Sequence, residues 1–220
     1  MRHRHTLAAI AALGIVAVPA APTSASSADD SLPPGFAYVV DDTGTIVVAV
    51  PDSWTDRDTE PAFEDDGTEI PYIEVSPDRA SFRESFDTPG ITYWAEQYTD
   101  DLQGLIDSYG LTGGCRSLTV EPYDDTVFVG LQQIGIECGA TGTATWKMIA
   151  ASPADQAFTV GVHLQTAGPA DEEAIGWARY TFNRIDDLDL DPGALDDPGD
   201  PTSDVPLGDL IKRELTARFK

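Results

Sequence analysis

Residues 115–166 read CRSLTVEPYDDTVFVGLQQIGIECGATGTATWKMIAASPADQAFTVGVHLQT, and the fold turns on this stretch. It holds both cysteines and four successive runs rich in β-branched and aromatic residues: Ser117–Pro122, Thr126–Cys138, Thr143–Ser152 and Gln156–Gln165. Gly139-Ala140-Thr141-Gly142 and Pro153-Ala154-Asp155 are turn signals between runs, so the spacing predicts a meander of antiparallel hairpins. Side chains alternate along a strand, which places Phe158, Val160, Val162 and Leu164 in one row and Ala144, Trp146, Met148 and Ala150 in another. We expect both rows to face one core.

Upstream, Phe36–Val40 and Thr45–Pro51 flank the turn Asp41-Asp42-Thr43-Gly44 and predict a hairpin. The unbroken apolar run Ile46-Val47-Val48-Ala49-Val50 predicts a strand covered on both faces. Thr55–Gly67 is acidic and reads as an irregular surface loop, Pro71–Ser76 and Ile91–Trp94 as short strands, and Asp78–Glu84 as one or two helical turns. Leu102, Leu105, Ile106 and Tyr109 give a helical stripe with Thr99 as its N-cap and Gly110 beyond its end. Downstream, Pro169 opens a second helix, with Asp171, Glu172 and Glu173 in its first turn, Ala174, Ile175, Ala178 and Phe182 on one side, and Asn183 as terminator. The fold class is therefore α+β, a largely antiparallel β-sheet covered by helices, over residues 37–185.

The chain has 220 residues and a formal charge of −25, from 38 acidic residues against 13 Lys and Arg. Such a surface repels phosphates and anionic headgroups, so nucleic acid is excluded as a partner class. The acidity reads as a solvated exterior, with bulk cation binding as the other reading. At the start, Arg2 and Arg4 precede the apolar run Leu7–Val18, and small residues follow; residues 1–25 are the expected signal peptide, with cleavage after Ala20 or Ala25, and 26–36 a linker. The apolar run is too short to span a bilayer, and no later run is apolar enough, so a secreted, extracellular protein without a transmembrane segment is expected. Export makes Cys115–Cys138 a structural disulfide, the one pairing two cysteines allow. Isolated cysteines without a spaced histidine make a redox or metal role the poorer reading.

Val48–Trp54 (VAVPDSW), Ser85–Ile91 (SFDTPGI), the Cys115 to Cys138 spacing, Cys138–Thr143 (CGATGT) and Ala150–Pro153 (AASP) together resemble an actinobacterial exported domain. It is similar in fold to the PsbP-like and LpqN-type families. The resemblance covers about Tyr38 to Ile185 and implies a PsbP-like sandwich with an accessory role. Such domains are often appended to secreted trypsin-like serine proteases or found in small membrane-anchored proteins, and they have no established activity of their own. No protease segment stands in this sequence, so proteolysis is not expected from it.

A direct search for chemistry finds no Gly-x-Ser-x-Gly elbow, Gly-Asp-Ser-Gly-Gly, His-Glu-x-x-His, phosphate loop or dinucleotide glycine pattern. No catalytic, cofactor or metal residue is therefore assigned, and no cofactor is expected. His163 is the only histidine after the leader, and its position between Val162 and Leu164 predicts an ordinary polar-face residue. The alternative is an extracellular hydrolase, an esterase or peptidase, using His163 with a distant serine and aspartate. Asp41-Asp42, Asp65-Asp66 and Asp124-Asp125 read as turn aspartates, with ligand binding as the other reading. Asp187, Asp189 and Asp191 begin like a calcium loop, but Pro192 and Pro198 stand where its glycine and bidentate acid belong. Trp54, Trp94, Trp146 and Trp177 read as packing residues, or as the lining of a ligand groove.

Beyond Ile185 the composition changes: residues 186–206 hold eight aspartates, four prolines and no basic residue, an acidic linker. Residues 207–220 then carry Leu207, Leu210, Ile211, Leu215 and Phe219 at helical spacing beside Lys212, Arg213 and Lys220. This short amphipathic helix is either a frayed tail or a weak contact to a partner or membrane surface. The function expected is that of a secreted, non-catalytic accessory or binding domain for an extracellular or cell-envelope protein or a small ligand.

Overall fold

A computed structural model describes residues 32–64 and 66–184. The signal peptide, most of the first linker, the acidic linker, the amphipathic tail and the Asp187 motif lie outside the described residues. Strands β1 (Phe36–Val40) and β2 (Ile46–Pro51) form the predicted hairpin, so the strand begins one residue inside the expected linker. Its turn is built by Asp41, whose carboxylate accepts from the backbone N–H of Thr43, Thr45 and Ile46 at 3.0, 2.8 and 2.7 Å. Next come β3 (Asp56–Asp58), β4 (Ala62–Phe63), β5 (Glu69–Ile70), β6 (Tyr72–Ser76), α1 (Arg79–Glu84), β7 (Gly90–Gln97) and α2 (Leu102–Tyr109). The meander follows as β8 (Cys115–Asp124), β9 (Phe128–Cys138), β10 (Ala144–Pro153) and β11 (Phe158–Thr166), then α3 (Glu172–Thr181) and β12 (Asn183–Arg184).

Seven strands form one antiparallel sheet in the order β3-β6-β7-β11-β10-β9-β8, and β1-β2-β12 form a second, three-stranded sheet. The four-strand meander is as read from sequence, but its two apolar rows do not share a core. In an antiparallel pair, directly opposed residues point to the same side. Ile149 lies opposite Val162 and Ala151 opposite Val160, whereas Met148 lies opposite His163. The row Phe158, Val160, Val162 and Leu164 therefore packs into a core with β2 and α3, while Trp146, Met148 and Ala150 build a second core on the other side with α2. The turn length sets the register, and a shift of one residue exchanges the faces.

Three other expectations are corrected. The acidic stretch 55–67 is not wholly irregular: it contains β3, paired with β6, and β4, paired with β5. The cap of α2 is Asp101, whose Oδ1 accepts from Gly104 N at 3.0 Å, while Thr99 Oγ1 accepts from Asp101 N one step earlier. After α3 the chain continues past Asn183 as β12 on β2 rather than simply stopping. The helices cover less than expected, because β1, β2 and β12 form a second layer. Strand β2 is fully buried from Ile46 to Val50, as its unbroken apolar run requires.

The Cys115–Cys138 disulfide is present and joins directly opposed positions of β8 and β9. Its loss in a Cys115→Ser, Cys138→Ser variant is expected to lower stability by about 3 kcal/mol and the thermal midpoint by roughly 10 °C. Calorimetry of both proteins checks this, and equal midpoints would refute it.

Candidate functional site

On the α2 side of the large sheet, alternation brings Tyr72 and Glu74 of β6, Thr92 and Trp94 of β7, His163 and Gln165 of β11, and Trp146 and Met148 of β10 onto one surface. Helix α2, the β4–β5 hairpin and the α1 region cover this surface only in part. Two adjoining hollows of about 310 and 300 Å³ remain, and Thr92 and His163 line both. The first is apolar, walled by Tyr72, Trp94, Tyr109 and Met148. The second is bordered by Phe82, Arg83, Trp146 and Gln165.

His163 is not a polar-face residue in water. Its ring stacks on Phe82 at 5.0 Å and tilts against Trp146 at 5.1 Å, and its Nε2 is closed to solvent without a hydrogen-bond partner. Burial lowers its pKa to about 4, so the imidazole is neutral across the physiological range. The expectation failed because this face also carries a core, which the polar residues flanking the tryptophans conceal. Two glycines permit the packing: a Cβ on Gly161 would stand 2.1 Å from the Trp94 ring, and one on Gly90 would stand 2.6 Å from the Phe82 ring. Trp94 in turn meets Tyr109 of α2 at 5.0 Å.

The rim is held by a charge cluster that the sequence reading missed. Glu74 is buried; it accepts from the Tyr72 hydroxyl at 2.8 Å, from Arg79 Nε at 3.0 Å and from Arg83 Nε at 3.1 Å. Arg79 also pairs with Asp58 and, at 3.7 Å, with Asp56, which fixes the edge strand β3. Burial, then the Glu74 charge, pushes the Tyr72 phenol well above its ordinary range, so it remains a hydrogen-bond donor. The available signal was spacing: Tyr72 and Glu74 two apart on a strand, Arg79 and Arg83 four apart on a helix. At the far end, Gln165 Nε2 donates to the carbonyls of Ser85 and Thr88 at 2.8 and 2.7 Å and anchors the loop after α1.

Of the four tryptophans, Trp94 and Trp146 meet at this groove, Trp54 lies in the opposite core, and Trp177 lies 6.3 Å from Phe36. Of the described turn aspartates, Asp66 accepts from Thr68 N, Asp124 from Thr126 N, and Asp125 from Val127 N and Phe128 N, as expected, whereas the Asp42 carboxylate accepts from the distant Thr59 hydroxyl at 2.6 Å. Among the described residues no group of three or more His, Cys, Asp or Glu is arranged to hold a metal. No described helix is long and apolar enough to cross a membrane. A larger hollow of about 510 Å³ lies between the β8–β9 turn and α3, but it is more polar, and the Tyr123 hydroxyl on its wall already donates to Asp125 at 2.7 Å. The aromatic groove is therefore the better candidate. No protein-family model matches the chain, and no curated protein matches it either.

Two outcomes follow from this geometry. Because the folded pKa of His163 lies below its ordinary 6.5, its contribution to stability is whole above pH 6.5 and is lost as pH falls toward 4. Wild type is expected to lose about 2 kcal/mol more than His163→Phe between pH 7 and 4.5, read from urea unfolding. Glu74→Gln, which leaves Arg79 and Arg83 facing a neutral group, is expected to cost about 3 kcal/mol in the same assay.

Proposed function

We propose that this chain is a secreted, non-catalytic binding domain whose aromatic groove takes a small, largely apolar ligand. The apolar hollow between Tyr72, Trp94, Tyr109 and Met148 carries this reading. At about 310 Å³ it sits at the lower end of the roughly 300–1,000 Å³ of small-molecule sites. Export rests on the leader sequence and accords with the single disulfide. A PsbP-like sandwich is the finer fold we propose, supported by the two-sheet layering and the sequence resemblance. Nucleic acid is not among the partners on this reading, given the charge of −25. The rival, a hydrolase acting through His163, gains no serine or carboxylate bonded to Nε2, and an imidazole with a pKa near 4 is a weak general base at neutral pH.

The test uses N-phenyl-1-naphthylamine, a neutral apolar fluorophore. Its emission is expected to rise saturably with the wild-type chain and to weaken at least about tenfold in affinity with Ala62→Trp, which fills the groove mouth. Absence of binding overturns the groove reading, and His163-dependent turnover of nitrophenyl esters puts the hydrolase in its place.

A further inference from the structure

Strand β8, of ten residues, ends the seven-stranded sheet, and among the described residues no strand pairs with its outer edge. The opposite edge strand, β3, has only three residues, all charged. Long free edges are normally shortened, charged or covered, because they present unpaired N–H and C=O groups to any strand that fits. Here the edge is instead apolar: of the six large hydrophobic side chains exposed among the described residues, Val120, Val129 and Ile136 belong to β8 and β9. Val120 is 44% and Val129 55% exposed, both on the α2 side, beyond the reach of that helix.

We propose that β8 is a self-association edge, pairing antiparallel with β8 of a second copy so that the two large sheets become continuous. The sequence of β8 selects this occupant because it is complementary to its own reverse. With Val120 opposite Val120 on the two-fold axis, Leu118 falls opposite Pro122 and Arg116 opposite Asp124, each pair occurring twice. Leu118, Val120, Pro122 and Asp124 share one face of the sheet by alternation, whereas Cys115 and Leu118 both lie against Gly135, so alternation is interrupted beside Arg116 and the ion pair relies on the reach of its guanidinium. The centre is apolar and both ends are paired opposite charges. Sliding one copy by two residues, the smallest step that keeps the faces, sets Arg116 against Pro122 in one direction and against Thr126, beyond the strand, in the other, and loses both ion pairs. Arg116 is 74% exposed and held only by Glu137 at 2.8 Å, so its guanidinium is free to reach a second carboxylate. The single proline lies in the outer half of the strand, where it costs at most one ladder bond per copy. An interface of one strand pair is small, so the association is weak, and the acidic exterior opposes it at low ionic strength.

Sedimentation velocity of the full secreted chain, at about 0.15 M salt where the screening length is roughly 8 Å, tests this over a concentration series reaching the sub-millimolar range. A reversible monomer–dimer equilibrium is expected. Val120→Lys is expected to weaken it at least about tenfold with an unchanged thermal midpoint, because the position is exposed in the monomer. Arg116→Asp and Asp124→Arg are each expected to weaken it several-fold, and the double variant to restore it, which a merely local role of either residue does not produce. A monomer at every concentration, a dimer indifferent to Val120→Lys, or a double variant no tighter than its parents overturns the proposal. So does a different protein bound at β8 while the chain itself stays monomeric. None of these outcomes bears on the groove.

Discussion

Strand β10 is apolar on both sides and β7 largely so, and this constraint organises the molecule. Along β10, Ile149 and Ala151 alternate with Met148 and Ala150, and all four are fully buried. Along β7, Ile91 and Tyr93 alternate with Thr92 and Trp94. Burial of each large side chain is worth about 2 kcal/mol, so leaving either face in water would forfeit a large part of a typical domain stability of about 10 kcal/mol. One face receives β2 and α3, with Phe182 stacked on Phe128 and edge-on to Tyr93. The other receives the short helices and a small hairpin, elements too small to cover it. Among the described residues, the groove is the remainder that this second layer leaves uncovered.

Polar groups inside that remainder have to be matched there. A carboxylate as buried as Glu74 is costly alone, and two arginines and a phenol compensate it. The same cluster does structural work at a distance, because Arg79 reaches Asp56 and Asp58 and so turns an acidic loop into the last strand of the sheet. The imidazole of His163 receives no such compensation. Two aromatic rings surround it, and the consequence is a depressed pKa rather than a bond.

What was legible in the sequence follows from the range of the forces involved. The meander, the hairpin before it and both longer helices are set by local periodicity and turn residues, and their residues lie where the pattern puts them. The disulfide was legible because two cysteines have one pairing. The assignment of apolar rows to faces was not, because it depends on which residue of β10 opposes which of β11, a matter of turn geometry. Nor was β3: its three charged residues have no strand propensity, and a tertiary ion pair from Arg79 overrides this. His163 looked solvent-facing because alternation gives only the side of a sheet, whereas the fate of that side depends on Phe82, more than eighty residues away along the chain. The groove itself is assembled from β4 to β11, so no local pattern announces it.

The position of the groove within the sheet also bears on how binding and self-association coexist. The groove spans β6, β7, β11 and β10, and strand order then runs through β9 to the free edge at β8. At about 4.8 Å between neighbouring strands, the edge lies roughly 10 Å from β10. A second copy added at that edge extends the sheet away from the groove and brings no element across Trp94 or His163. Sheet twist accumulates over the intervening strands and turns the two grooves of a pair away from each other. On the proposed pairing, covering β8 leaves the groove as open as it is in one copy, so the two proposed surfaces act independently.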